Sequence, residues 1–154
     1  MFPISRATLE DSEEILALQK LAFAAEARLY GEENVQPLRQ TLLSMQEDIR
    51  QQVVLKAMSG ARIVGSVRAK LSGETCEVGR LVTHPDFQRR GIGTALLHAI
   101  ETHFPKAECF ELFTAENSAP NIRLYERSGY RCVFTREFSP GFGFVYMRKP
   151  QQPT

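Results

Sequence analysis

At 154 residues the chain has the length of one domain with a sizeable core, and 43% hydrophobic against 24% charged residues excludes wholesale disorder. A formal net charge of +1 argues against a broad electrostatic footprint on nucleic acid or an acidic membrane, but leaves room for a small local basic site.

The opening residues, MFPISRATLEDSEE, lack a continuous apolar stretch and turn acidic by Glu10, so no signal peptide is expected. Phe2 to Ala7 fits a short first strand, and Thr8-Leu-Glu-Asp a turn into a helix. Ile15, Leu18, Leu21, Ala22 and Ala25 then recur at helical spacing through Ala27. A second helix is expected after Pro37, with Leu38, Leu42, Met45 and Ile49 on one face. Beyond Arg50 the pattern becomes β-branched and apolar. Gln52–Met58, Ala61–Leu71 and Cys76–Thr83 are predicted strands, separated by Ser59-Gly60 and Ser72-Gly73 turns, as in an antiparallel meander. Ile92, Ala95, Leu96, Ala99, Ile100 and His103 mark a helix that Pro105 ends. Cys109–Thr114 is a buried strand, Asn117–Ser128 a helix capped by Gly129, and Tyr130–Phe138 and Phe142–Arg148 the last strands. The unit from Cys76 to Thr114 is expected to hold a parallel pair, because a crossover helix returns the chain in the same direction. The fold class is therefore α/β with a mostly antiparallel mixed sheet, one domain over 1–150 and a tail over 151–154.

No apolar run approaches the ~20 residues of a membrane helix. Cys76, Cys109 and Cys132 are odd in number and lack metal spacing, which points to buried thiols in a reducing cytoplasm. His98 and His103 are five residues apart, a poor spacing for a shared metal, and His84 is a loop residue by default.

The unusual stretch is FQRRGIGTALL. Helix starts expose unpaired N–H groups and a partial positive charge, both of which phosphate oxygens satisfy. Gly91 and Gly93 remove side chains that would hold a phosphate away, and Arg89 and Arg90 add charge. A second explanation stands beside this one: the glycines serve only close helix–sheet packing. The rival phosphate motifs fail, since no Gly-Lys-Ser/Thr is present and Leu96 stands where a dinucleotide fingerprint needs its third glycine.

Gln88-Arg89-Arg90-Gly91-Ile92-Gly93, preceded by Leu81-Val82-Thr83-His84-Pro85 and followed by Ser118-Ala-Pro-Asn-Ile-Arg-Leu-Tyr-Glu-Arg-Ser-Gly-Tyr130, resembles the signature of the GNAT superfamily of N-acetyltransferases. The resemblance is strong from Cys76 to Tyr130, and the element order extends it loosely over the chain. It implies an acetyl-CoA cleft between two splayed parallel strands, Cys76–Thr83 and Cys109–Thr114. Backbone groups of Leu81, Val82 and Thr83 would meet the pantetheine arm. Gln88, Arg89, Arg90, Gly91, Ile92, Gly93 and Thr94 would surround the pyrophosphate. Ser118 stands where the family often has Asn; with Asn121 it is a candidate cofactor contact, although Ser118 is also a good helix cap and Asn121 an ordinary polar helix residue.

By the same resemblance Tyr125 protonates or hydrogen-bonds the leaving thiolate, and Glu77 is the base that takes the amine proton; the other reading of Tyr125 is a ring packed under the sheet. Glu111 is the next candidate base, and for both acids a structural ion pair with Arg80 is an equal alternative. No metal is required. The expected reaction is acetyl transfer to a primary amine of a small molecule or peptide. The alternative is a non-catalytic acyl-CoA-binding sensor or interaction module. Glu26, Glu32 and Glu33 lie in a stretch from which family members often contact acceptors, and are either a cation-attracting patch or a solvated helix end. Neither nucleic acid nor membrane is an expected partner; a homodimer through C-terminal edge strands is open.

Overall fold

Three consecutive segments rich in apolar and β-branched residues pair side by side within the sheet. The computed structural model describes residues 2–30 and 36–151, so Glu32 and Glu33 lie outside the described residues. Strands β1 (Ile4–Arg6), β2 (Val53–Ser59), β3 (Arg62–Ser72), β4 (Thr75–Thr83), β5 (Cys109–Ala115), β6 (Arg131–Ser139) and β7 (Phe142–Pro150) form one sheet in the order β1-β2-β3-β4-β5-β7-β6. The expected meander is β2-β3-β4, and β4 and β5 are the parallel pair, joined through helix α4 (Ile92–Glu101). All other pairings are antiparallel.

The helices cover the two faces unequally. Leu96, Leu97 and Ile100 of α4 are fully buried against Leu55, Val67, Val78 and Phe110. Each contributes about 1.5–3 kcal/mol of apolar burial. Helix α5 (Ala119–Arg127) adds Tyr125 to this core. On the other face, α1 (Ser12–Tyr30) and α3 (Leu42–Gln51) pack Ile15, Leu18, Met45 and Ile49 over Val54, Ile63 and Val82.

Several expectations change. Leu21 is exposed rather than on the buried stripe. The helix expected to run on from Pro37 is broken into α2 (Gln36–Arg39) and α3, because the Thr41 side chain caps α3 by accepting from Ser44 N. Gln151, the first residue after the expected domain boundary, donates its side-chain amide to the carbonyls of Phe104 and Ala107 at 2.9 and 3.2 Å. Of the cysteines, Cys76 is buried, Cys109 half-buried and Cys132 exposed, because β6 is an edge strand exposed along most of its length. Burial pushes the Cys76 thiol up to about 12, so it is no nucleophile.

One glycine is required by packing. A Cβ on Gly65 in β3 would stand 2.8 Å from Ile92 Cγ2 and 2.9 Å from Leu96 Cδ1, so the bare backbone of β3 lets α4 settle onto the sheet. Gly65→Ala is expected to destabilise the fold by about 1–3 kcal/mol through overpacking, read from denaturant unfolding.

Candidate active site

The site is made by a ladder that stops. β4 and β5 pair only over Thr75↔Cys109, Cys76↔Phe110 and Glu77↔Glu111. Beyond that point the strands part, and the gap opens into a cleft of about 1030 Å³. Its walls are the end of β4, the start of α4, the start of α5 and the C-terminal half of α1.

A β-bulge shapes the β4 wall. Arg68 pairs with Gly79 and Ser66 with Val82, so Arg80 and Leu81 together oppose Val67. Arg80 takes a left-handed φ of +52°. The extra residue reverses the facing of the residues after it: Val78 and Leu81 pack toward α4, whereas Val82 packs under α1 and α3. Strict alternation, which groups Val78, Arg80 and Val82, therefore fails after Gly79. Arg80 donates to Gln40 Oε1 at 2.8 Å, and burial with Arg68 nearby brings its guanidinium down to about 10. Its partner is neither Glu77 nor Glu111; Glu111 instead accepts from Arg148 Nε at 2.6 Å.

The phosphate end lies at α4. Arg89 and Gly91 both have left-handed φ, +64° and +80°, and these two turns bring the chain from the loop into the helix. The first intrahelical bond runs from Ala95 N to Gly91 O, which leaves the N–H groups of Ile92, Gly93 and Thr94 unused by the helix. Gln88 closes the loop by donating to Thr83 O at 3.1 Å. A Cβ on Gly91 would meet nothing within 4 Å, and its φ alone accounts for glycine there. Gly93 has no such reason. Its φ is ordinary, and a Cβ would find only van der Waals contacts, the nearest with Leu124 Cδ1 at 3.5 Å. The close helix–sheet approach is supplied by Gly65, which removes the packing explanation for Gly93.

At the other end, Tyr125 is almost fully buried yet lines the cleft. Burial, with the nearby Glu26 charge, holds its phenol well above the usual range, so it stays protonated. Asn121, one turn earlier on α5, donates to Glu26 Oε1 at 2.7 Å and to Thr114 Oγ1 at 3.3 Å. Ser118 is buried at the start of α5 but makes no side-chain cap; Pro120 removes one of the N–H groups it would accept from.

The cleft thus brings together Leu81, Val82, Thr83, Gln88, Arg89, Gly91, Ile92, Gly93, Thr94, Ser118, Asn121 and Tyr125. Two expected residues are not on its wall. Arg90 turns aside to stack over the Phe87 ring at 5.1 Å. Glu77 is exposed where the strands are still paired, about 13 Å along β4 from Leu81. Glu77→Gln is accordingly expected to leave turnover and its pH profile unchanged; a lost acid-side limb would return it to the chemistry. Sequence reasoning missed Gly65, whose signal is a glycine inside a strand pattern, and the apolar wall formed by Phe23 and Leu124. Among the described residues, no group of three or more His, Cys, Asp or Glu gathers as a metal site, and no helix is long and apolar enough to cross a membrane.

A mixed sheet split at its parallel pair, with a helix start aimed into the split, defines an acyl-CoA N-acyltransferase fold. The chain belongs to the acetyltransferase (GNAT) family, whose model matches residues 15–130. It is similar to the UPF0157 protein YqkA of Bacillus subtilis, with 30% identity over 128 residues, 83% of this chain but only 37% of that protein. Among solved structures, the PaiA N-acetyltransferase of Thermoplasma acidophilum in complex with coenzyme A superposes with a TM-score of 0.80 at 17% identity, covering 97% of this chain and 99% of that one. The ribosomal-protein-S18-alanine N-acetyltransferase of Escherichia coli gives 0.75 at 18%, covering 100% and 96%.

Proposed function

We propose that the protein is an acetyl-CoA-dependent N-acetyltransferase acting on a primary amine of a small molecule or peptide. The observation that carries this reading is Gly93. It is a glycine with no conformational or packing reason within the protein, set among free helix N–H groups on a cleft whose other end holds a buried phenol.

The residues fit the donor. Backbone N–H groups of Ile92, Gly93 and Thr94, with Arg89 beside them, would hold the pyrophosphate, and the free inner edge of Leu81–Thr83 would pair with the pantetheine amides. When bound, acetyl-CoA supplies an activated acyl carbon and a thiolate leaving group. Tyr125 keeps a proton available at the base of the cleft for the departing sulfur. Alignment by the cleft walls supplies much of the remaining rate.

Titration calorimetry with acetyl-CoA, using dephosphorylated and desulfo fragments as controls, tests the donor site. Phosphate-dependent binding supports it, and no binding at millimolar ligand removes it. A sensor or interaction module would bind acetyl-CoA yet transfer no acetyl group to any amine of a broad panel. The three free thiols favour a reducing, cytoplasmic setting. A second copy of the chain pairing along the exposed edge of β6 is the partner to look for by light scattering.

A further inference from the structure

We infer that Glu26 is the acceptor-amine site: its carboxylate, fixed by Asn121 where β4 and β5 part, binds the acceptor's ammonium and takes its first proton. This rests on the acetyl-transfer reading above.

The position is specific. Among the described residues lining the cleft, Glu26 is the one carboxylate, whereas Glu77 lies off the wall and Glu111 bonds Arg148. Glu26 comes from α1, on the sheet face opposite α4, and meets α5 through the gap between the strands. The contact at 2.7 Å joins residues 95 positions apart. Asn121 and Tyr125 are one turn apart and so share a face of α5. The residue that orients the carboxylate and the residue that holds the acid proton are thereby set in register.

Charge points to the ligand class. Glu26 is half-buried on a wall shared with Phe23, Leu81 and Leu124, where a charge-assisted contact to a cation is stronger than in open water. A primary amine has a pKa near ~10.4 and arrives as the ammonium at neutral pH. Such an amine cannot attack until it loses a proton, and Glu26 stands beside the cleft end that Tyr125 lines.

The proton count closes. The ammonium gives one proton to Glu26, which passes it to solvent. The neutral nitrogen forms a bond to the acyl carbon, and the carbon–sulfur bond breaks. Tyr125 protonates the sulfur and regains a proton from the nitrogen. One acetyl-CoA and one ammonium become one amide, one free thiol and one proton.

The test needs no knowledge of the natural acceptor. Two stable thioethers of coenzyme A, S-(3-aminopropyl)-CoA and S-butyl-CoA, have the same length and differ only in ending in an ammonium or a methyl. Calorimetry at pH 7 should show wild type preferring the amino compound by about tenfold or more, as expected of a charge-assisted contact. Glu26→Gln should bind S-butyl-CoA as wild type does and lose the preference. That unchanged affinity also shows that the variant is folded. A preference that survives in Glu26→Gln, or none in wild type, overturns the assignment while the donor site stands. Failure of wild type to bind either thioether or acetyl-CoA overturns the donor site, and the assignment with it.

Discussion

Tyr125→Phe is expected to lower kcat for acetyl transfer by about 10²-fold while leaving acetyl-CoA affinity within about twofold. The substitution removes one oxygen and keeps the ring, and the ring is what the core uses: it meets Tyr130 edge-on with centroids 6.2 Å apart. The fold is therefore expected to survive. What disappears is a proton donor kept protonated first by burial and second by the negative charge of Glu26. The sign of that shift sets the pH behaviour. Because the phenol is raised above its ordinary value of 10, the active acid form persists through neutral and mildly alkaline pH. Wild-type kcat should show no falling limb from this group below about pH 10. A falling limb between pH 8 and 9 that vanishes in Tyr125→Phe, or a variant as fast as wild type, would move the acid elsewhere.

The order of elements was readable because each carries a local signal. Apolar, β-branched runs broken by Ser59-Gly60 and Ser72-Gly73 mark the meander, and the crossover through α4 dictates the parallel pair. The features that make the site specific carry weaker signals or none. Gly79 within the strand is a bulge signal, but it does not say that Arg80 turns left-handed, so a rule of alternation alone misses the bulge that moves Val82 to the other face. Arg89 and Arg90 look alike in sequence, but the left-handed turn at Arg89 leaves one on the cleft and sends the other onto Phe87. The break at Gln40 interrupts an apolar repeat that runs smoothly from Leu38 to Ile49, because a tertiary network claims the residue: Gln40 accepts from Gln19 and Arg80 and donates to Ser44. Glu26 reads as either a cation-attracting group or part of a solvated helix end, and only the contact with Asn121 places it beside α5. Local patterns specify elements, whereas the chemistry depends on contacts between residues far apart in the chain.

Gly93→Ala separates a ligand requirement from a structural one. The position lies in the second residue of α4 with ordinary backbone, and the nearest atom to an added Cβ is 3.5 Å away. Alanine should therefore be accepted, and exchanging glycine for alanine in a helix is worth about 0.5–1 kcal/mol of added stability. If the N–H groups of Ile92, Gly93 and Thr94 hold a pyrophosphate, the same methyl stands between backbone and phosphate oxygens. Losing one or two charge-assisted hydrogen bonds then weakens acetyl-CoA binding by roughly 10- to 100-fold. The predicted result is a protein at least as stable as wild type that has lost most of its affinity for the donor. Gly65→Ala should do the reverse, because its added Cβ would press on Ile92 and Leu96 from the sheet side: lower stability, with acetyl-CoA affinity kept in the molecules that remain folded. Gly93→Ala that binds acetyl-CoA as tightly as wild type would mean that the phosphate lies elsewhere, and the opening of α4 would lose its assigned role.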